Sequence, residues 1–65
     1  MSQQSLSFEG VESADQVNRI TTALMMVDGV ESAEVGRHGA DVEGRVRREA
    51  LIRAIKDLKL PINVK

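Results

Sequence analysis

The chain has no cysteine, tryptophan or tyrosine, and only one phenylalanine (Phe8), one proline (Pro61) and one histidine (His38). Without cysteine there is no disulfide and no thiolate to hold a metal, and the redox compartment cannot be read. One histidine in a loop completes neither a Ser–His–acid nor a Cys–His set, so catalysis is not expected. With one aromatic residue, the chain lacks the stacking platforms that sheet proteins use on single-stranded RNA. No apolar run is long enough to span a bilayer. The start, Met1-Ser2-Gln3-Gln4-Ser5, has neither a basic nor an apolar stretch. No signal peptide is read there, and a cytoplasmic setting is expected. Repeats, low-complexity tracts and linkers are absent as well.

What is present fits one small domain over residues 1–65. A chain of this length buries only about 60% of its unfolded surface, so its core is small. Apolar content of 42% and charged content of 29% suit a globular fold. The net charge of −1 is unevenly placed. Residues 1–34 carry six acids (Glu9, Glu12, Asp15, Asp28, Glu31, Glu34) against Arg19 alone, a balance of −5. Residues 35–65 carry eight bases (Arg37, Arg45, Arg47, Arg48, Arg53, Lys56, Lys59, Lys65) against Asp41, Glu43, Glu49 and Asp57, a balance of +4. Such a dipole does not imply unspecific binding to nucleic acid or an anionic membrane.

Residues 4–9 alternate, with Leu6 and Phe8 on one face and Ser5 and Ser7 on the other, which predicts a half-buried strand. Val17, Ile20, Leu24 and Val27 form one apolar stripe and predict a helix from about Ala14 to Met26, stopped by Gly29. Val30 to Val35 reads as a strand, with Ala33 and Val35 inward and Ser32 and Glu34 outward. Gly36-Arg37-His38-Gly39 reads as a hairpin loop whose glycines allow positive φ. A weak strand follows from Ala40 to Arg45, with Ala40, Val42 and Gly44 inward. Leu51, Ile52, Ile55 and Leu58 predict a second helix from about Arg48 to Leu58, with no good cap before it. Pro61 is read as opening a last edge strand, with Ile62 and Val64 inward. Met25 and Met26 are read as core filler. The order βαββαβ, with right-handed crossovers, predicts an α+β ferredoxin-like sandwich. Its four-stranded antiparallel sheet has the order 4-1-3-2 and two helices on one face.

The first strand-to-helix turn is the most informative stretch. Ser13 followed three residues later by Gln16 is a capping box, and Asp15 suits the positive helix end. The run Gly10-Val11-Glu12-Ser13-Ala14-Asp15-Gln16-Val17-Asn18-Arg19-Ile20-Thr21-Thr22-Ala23-Leu24 is closed by Val27-Asp28-Gly29-Val30-Glu31-Ser32-Ala33-Glu34-Val35. It resembles the heavy-metal-associated domain of copper chaperones and metal-pumping ATPases. That family reads Gly-Met-x-Cys-x-x-Cys, then Ile and Leu at helical spacing, then Gly-Val before a strand. Here Val11 stands at the methionine and Ser13 and Gln16 at the two cysteines. The resemblance covers about Phe8 to Leu58, more weakly over the second helix, and implies the same ferredoxin-like fold.

The family binds a metal ion and hands it to a partner domain through complementary charge. Soft ions need sulfur or imidazole, whereas Ser13 and Gln16 offer only neutral oxygens and an amide. No metal ligands and no cofactor are therefore expected. Met1, Met25, Met26 and His38 are the remaining soft donors, and Met25 and Met26 lie roughly 15 Å of helix rise from Ser13. The leading expectation is a non-enzymatic protein-interaction module on the family's scaffold. The alternative is chaperone-type binding of Cu(I) or Zn(II) through a non-standard or intersubunit ligand set. The expected interaction residues are Val11, Glu12, Ser13, Arg45, Arg47 and Arg48. The arginines are included because cations at a helix start oppose the macrodipole. In the simpler reading they pair with Asp41, Glu43 or Glu49. The expected partner is another protein of complementary charge, with a homodimer as one form, and neither nucleic acid nor membrane. An outward sheet face of Ser5, Ser7, Ser32, Glu34, Asp41, Glu43, Asn63 and Lys65 is too acidic for RNA. Glu12 likewise stands where an acyl-phosphate hydrolase would need room for an anion.

Overall fold

Strand β1 (Gln3–Glu9) turns its alternating Leu6 and Phe8 inward, where both are 3% exposed. The computed structural model describes residues 3–65, so Met1, weighed above as a soft donor, lies outside the described residues. Helix α1 (Ala14–Met25) follows, then the hairpin β2 (Val30–Val35) and β3 (Gly39–Gly44), helix α2 (Arg48–Lys56) and β4 (Asn63–Val64). The sheet is antiparallel throughout in the order β2-β3-β1-β4, which is the predicted 4-1-3-2 read from the other edge. Both helices cover one face. Ile20 and Leu24 of α1 meet Leu51 and Ile55 of α2 over Leu6, Phe8, Ala40 and Val42. Full burial of a Leu or Ile side chain stabilises by about 1.5–3 kcal/mol, so these four helix residues anchor the helix layer.

The strand β2 departs from plain alternation. Val30 pairs with Gly44 and Ser32 with Glu43, which leaves Glu31 as an extra residue. The bulge changes the phase of the strand. Val30, Ala33 and Val35 therefore all pack against the core, although strict alternation would place Val30 on the opposite face. Gly44 makes the bulge possible. Its φ is +141, and a Cβ there would collide with the Gly29 carbonyl and stand 2.9 Å from the Glu31 nitrogen.

Four expectations need correction. The hairpin glycines do not take positive φ. The turn is Arg37-His38, closed by the Gly36 N–H donating to the Gly39 carbonyl at 2.8 Å, and Gly39 is small because a Cβ would strike the Leu6 carbonyl. Helix α2 ends at Lys56; Lys59, at φ 56, reverses the chain, and Leu58 packs from the turn. Pro61 is not in a strand. The Ile62 N–H donates to the Leu60 carbonyl at 2.8 Å across it, a three-residue turn, and β4 is two residues long. Met25 and Met26 are not core filler, being 47% and 80% exposed. They sit about 100° and 200° round from Leu24 and so leave its stripe.

Candidate functional site

The turn from β1 into α1 is shaped by its own side chains. Ser13 is the N-cap, in extended conformation at φ −138 and ψ 157. Its hydroxyl oxygen accepts from the Gln16 N–H at 3.3 Å. The Gln16 carboxamide oxygen reaches back and accepts from the Ser13 N–H at 3.2 Å and the Glu12 N–H at 2.6 Å. The predicted capping box is therefore complete, with one bond beyond the usual pair. Asp15 and Arg19, four apart, form an exposed ion pair at 2.9 Å, worth at most a few tenths of a kcal/mol. Val11 packs half-buried against the core, while Glu12 and Ser13 are exposed.

This arrangement does not suit a soft metal. The oxygens nearest the helix start, Ser13 Oγ and Gln16 Oε1, are neutral, hard and already engaged with backbone donors. Copper(I) favours thiolate or thioether, and the nearest sulfur on α1 is a full helix length away, at Met25. Among the described residues, no three His, Cys, Asp or Glu side chains gather as a metal-binding group. The loop thus brings two side chains together, and they are joined as a capping box.

The six expected interaction residues fall in two places. Val11, Glu12 and Ser13 stand at the start of α1, where a Cβ on Gly10 would lie 2.8 Å from the Pro61 carbonyl oxygen. Arg45, Arg47 and Arg48 stand at the other end, where the Arg45 N–H donates to the Gly29 carbonyl at 2.9 Å. The 12 residues of α1 separate the two groups by about 18 Å. Sequence adjacency to a helix start joined them on paper; the antiparallel run of the two helices parts them.

The arginines also divide by role. Arg48 Nη1 donates to the Ser5 carbonyl of β1 at 2.8 Å, and the Gln4 amide donates to the Val46 carbonyl. Together they tie the uncapped start of α2, where the Arg47 side chain makes no cap bond, to the sheet. Gln4 was not singled out in the sequence; its inward parity with Leu6 and Phe8 was the available signal. Arg45 and Arg47 are exposed. None of the three pairs with Asp41, Glu43 or Glu49, since the ion pair found among the described residues is Asp15–Arg19. No helix among them is long and apolar enough to cross a membrane.

No family profile matches the chain, and no curated protein matches it by sequence. Solved structures do. The chain is similar to a CopZ metallochaperone, at 28% identity over 98% of this chain and 100% of that one, with a TM-score of 0.87. It is similar to a copper-binding domain from HMA7, a P-type ATPase, at 27% identity over 100% and 92% of the two chains, with a TM-score of 0.89. A third likeness is to the N-terminal domain of a potential copper-translocating P-type ATPase from Bacillus subtilis, solved in its Cu(I)-loaded state. There the identity is 25%, the coverage 97% and 82%, and the TM-score 0.85.

Proposed function

We propose that this chain, which resembles the heavy-metal-associated domains of copper chaperones and P-type ATPases, is a single non-enzymatic docking domain that carries no metal in its Gly10–Gln16 loop. The observation behind this reading is the Gln16 side chain. Its oxygen is bonded to the Glu12 and Ser13 N–H groups, which closes the loop without an ion. A metal carrier would need that space and those positions for soft donors. With the ligands gone, what persists from the scaffold is a shaped loop: half-buried Val11, exposed Glu12 and the Ser13–Gln16 cap.

The partner on this reading is a second domain of the same class, such as the copper-binding domain of a P-type ATPase, met through the loop end of α1 without metal transfer. An NMR titration of the labelled protein with such a domain, free of Cu(I), tests it. Amide shifts concentrated at Val11–Gln16 are expected. Shifts that arise only when the partner is loaded with Cu(I), or none at all, would overturn the proposal.

A further inference from the structure

We infer that the outward sheet face is a docking surface for the α2 face of a second copy of this chain. The surface lies apart from the Gly10–Gln16 loop, and the inference stands whether or not that loop binds a partner.

The sheet face collects like charge in register. Glu34 of β2 lies directly opposite Asp41 of β3, and Asp41 lies opposite Ser5 of β1. Glu43 lies between Ser32 and Gln3. Glu9 shares this face by its alternation with Leu6 and Phe8, and the bases near it are Lys65, paired with Ser7, and Arg48, which is held on the Ser5 carbonyl. Like charges directly opposite each other destabilise a strand pair. Asp41 takes a hydrogen bond from the Ser5 hydroxyl at 2.8 Å, and no ion pair among the described residues involves Glu34, Asp41 or Glu43. The chain itself leaves this repulsion standing.

The complementary charge is on the far side of the same molecule. Arg47, Arg53 and Lys56 are exposed on or beside α2, with Arg45 and Lys59 at its two ends and Glu49 and Asp57 as the opposing acids. A shallow groove on α2 is lined by Arg47 and Arg53 together with Glu49, Asp57, Ala50 and Ala54, so the positive excess of this side comes from Lys56 and from Arg45 and Lys59 at the helix ends. None of these bases is ion-paired among the described residues. Helices and open face are opposite sides of a two-layer sandwich, so each copy shows an acidic sheet side and, along α2, a side of mixed charge with a positive balance.

Geometry sets the form and strength of the contact. The two patches lie on opposite sides, so one twofold axis cannot satisfy both; the contact is head-to-tail and open-ended. The molecule extends 31 by 18 by 18 Å, so one face covers at most roughly 560 Å², and at most about 1,100 Å² over two partners falls at the weak, transient end of specific interfaces. A contact of serines, carboxylates and guanidiniums is also strongly screened by salt.

Sedimentation velocity over a concentration series tests this in two salts, about 10 mM and about 1 M, where charges act over roughly 30 and 3 Å. The average mass should rise above 7.1 kDa with concentration in low salt and fall back to it in high salt. Two charge-reversed variants sharpen the test: Glu34→Lys, Asp41→Lys, Glu43→Lys, and Arg47→Glu, Arg53→Glu, Lys56→Glu. Each should be monomeric alone, with its folding checked by circular dichroism, and the two should associate when mixed. If either fails to fold, the salt series of the parent decides. A parent that stays monomeric in low salt overturns the inference. So does binding of poly-L-lysine to a protein that does not self-associate, which would assign the acidic face to a basic segment of another protein.

Discussion

Replacing Ser13 and Gln16 together by cysteine asks whether the loop lacks only its ligands. The structure sets the magnitudes. The substitution removes the bond from the Gln16 N–H to Ser13 and the two bonds that Gln16 accepts from Glu12 and Ser13. Loss of a good N-cap costs about 0.5–2 kcal/mol. In a domain of this size each kcal/mol moves the melting temperature by about 4–8 °C, so the metal-free double variant should melt roughly 2–16 °C below the parent. Positions 13 and 16 are the N-cap and the third helical residue, and the Ser13 hydroxyl already lies 3.3 Å from the Gln16 nitrogen. Two sulfurs on one ion, each at a bond of about 2.3 Å as for zinc, sit within about 4.6 Å, so the pair is placed to chelate. The helix N-terminus also favours the thiolate forms. With Cu(I) buffered at about a thousand times its dissociation constant, the folded state gains about 4 kcal/mol, which exceeds the lost cap. The loaded variant should therefore melt above the parent, and neither single variant should show the gain. The assay is thermal unfolding followed by circular dichroism under reducing conditions. A double variant whose melting is unmoved by Cu(I) would show that positions 13 and 16 are not the family's ligand positions.

Other substitutions test the fold that presents the loop. Ser13→Ala alone should lower stability by about 1 kcal/mol without changing the fold, and an unmoved urea midpoint would show that the cap contributes nothing. Leu24→Ala, at a side chain with 0% exposure, should cost about 2–5 kcal/mol. Met26→Ser, at 80% exposure, should stay within about 0.5 kcal/mol; urea unfolding of the two variants checks the contrast, and equal effects would contradict the placement of α1. Gly44→Ala puts a Cβ against the Gly29 carbonyl at φ +141; an ordinary glycine-to-alanine replacement gains about 0.4–1 kcal/mol, but this one should destabilise by more than about 1 kcal/mol. A two-dimensional NMR spectrum unchanged around Glu31 would argue against the bulge.

The fold was readable because its signals are local and agree with one another. The 17-20-24 stripe and the Ser13–Gln16 box name the same helix, and the alternation of Leu6 and Phe8 names its strand; the stop expected at Gly29 comes earlier, with Met26 as the C-cap, and Gly29 at φ 95 belongs to the turn that follows. The bulge at Glu31 was harder to see, since it depends on Gly44 across the sheet. Its one trace in the sequence is that Val30 falls out of phase with Ala33 and Val35. The exposure of Met25 and Met26 follows from the angle between them and the stripe; composition alone made them look like core. The tie between Arg48 and the Ser5 carbonyl spans residues 43 apart in the chain, and no local pattern marks it. For the site, the chemistry of the absent donors was legible from residue types. The separation of Val11–Ser13 from Arg45–Arg48 required the antiparallel course of the helices.

The central claim is that the Gly10–Gln16 loop is closed by a capping box and holds no soft metal. Equilibrium competition of the unmodified protein against a Cu(I) chelator of modest affinity tests it most directly, with the protein mass read under native conditions. The account predicts that all copper stays with the chelator and the protein keeps its metal-free mass. Stoichiometric Cu(I) retained on the protein would contradict it.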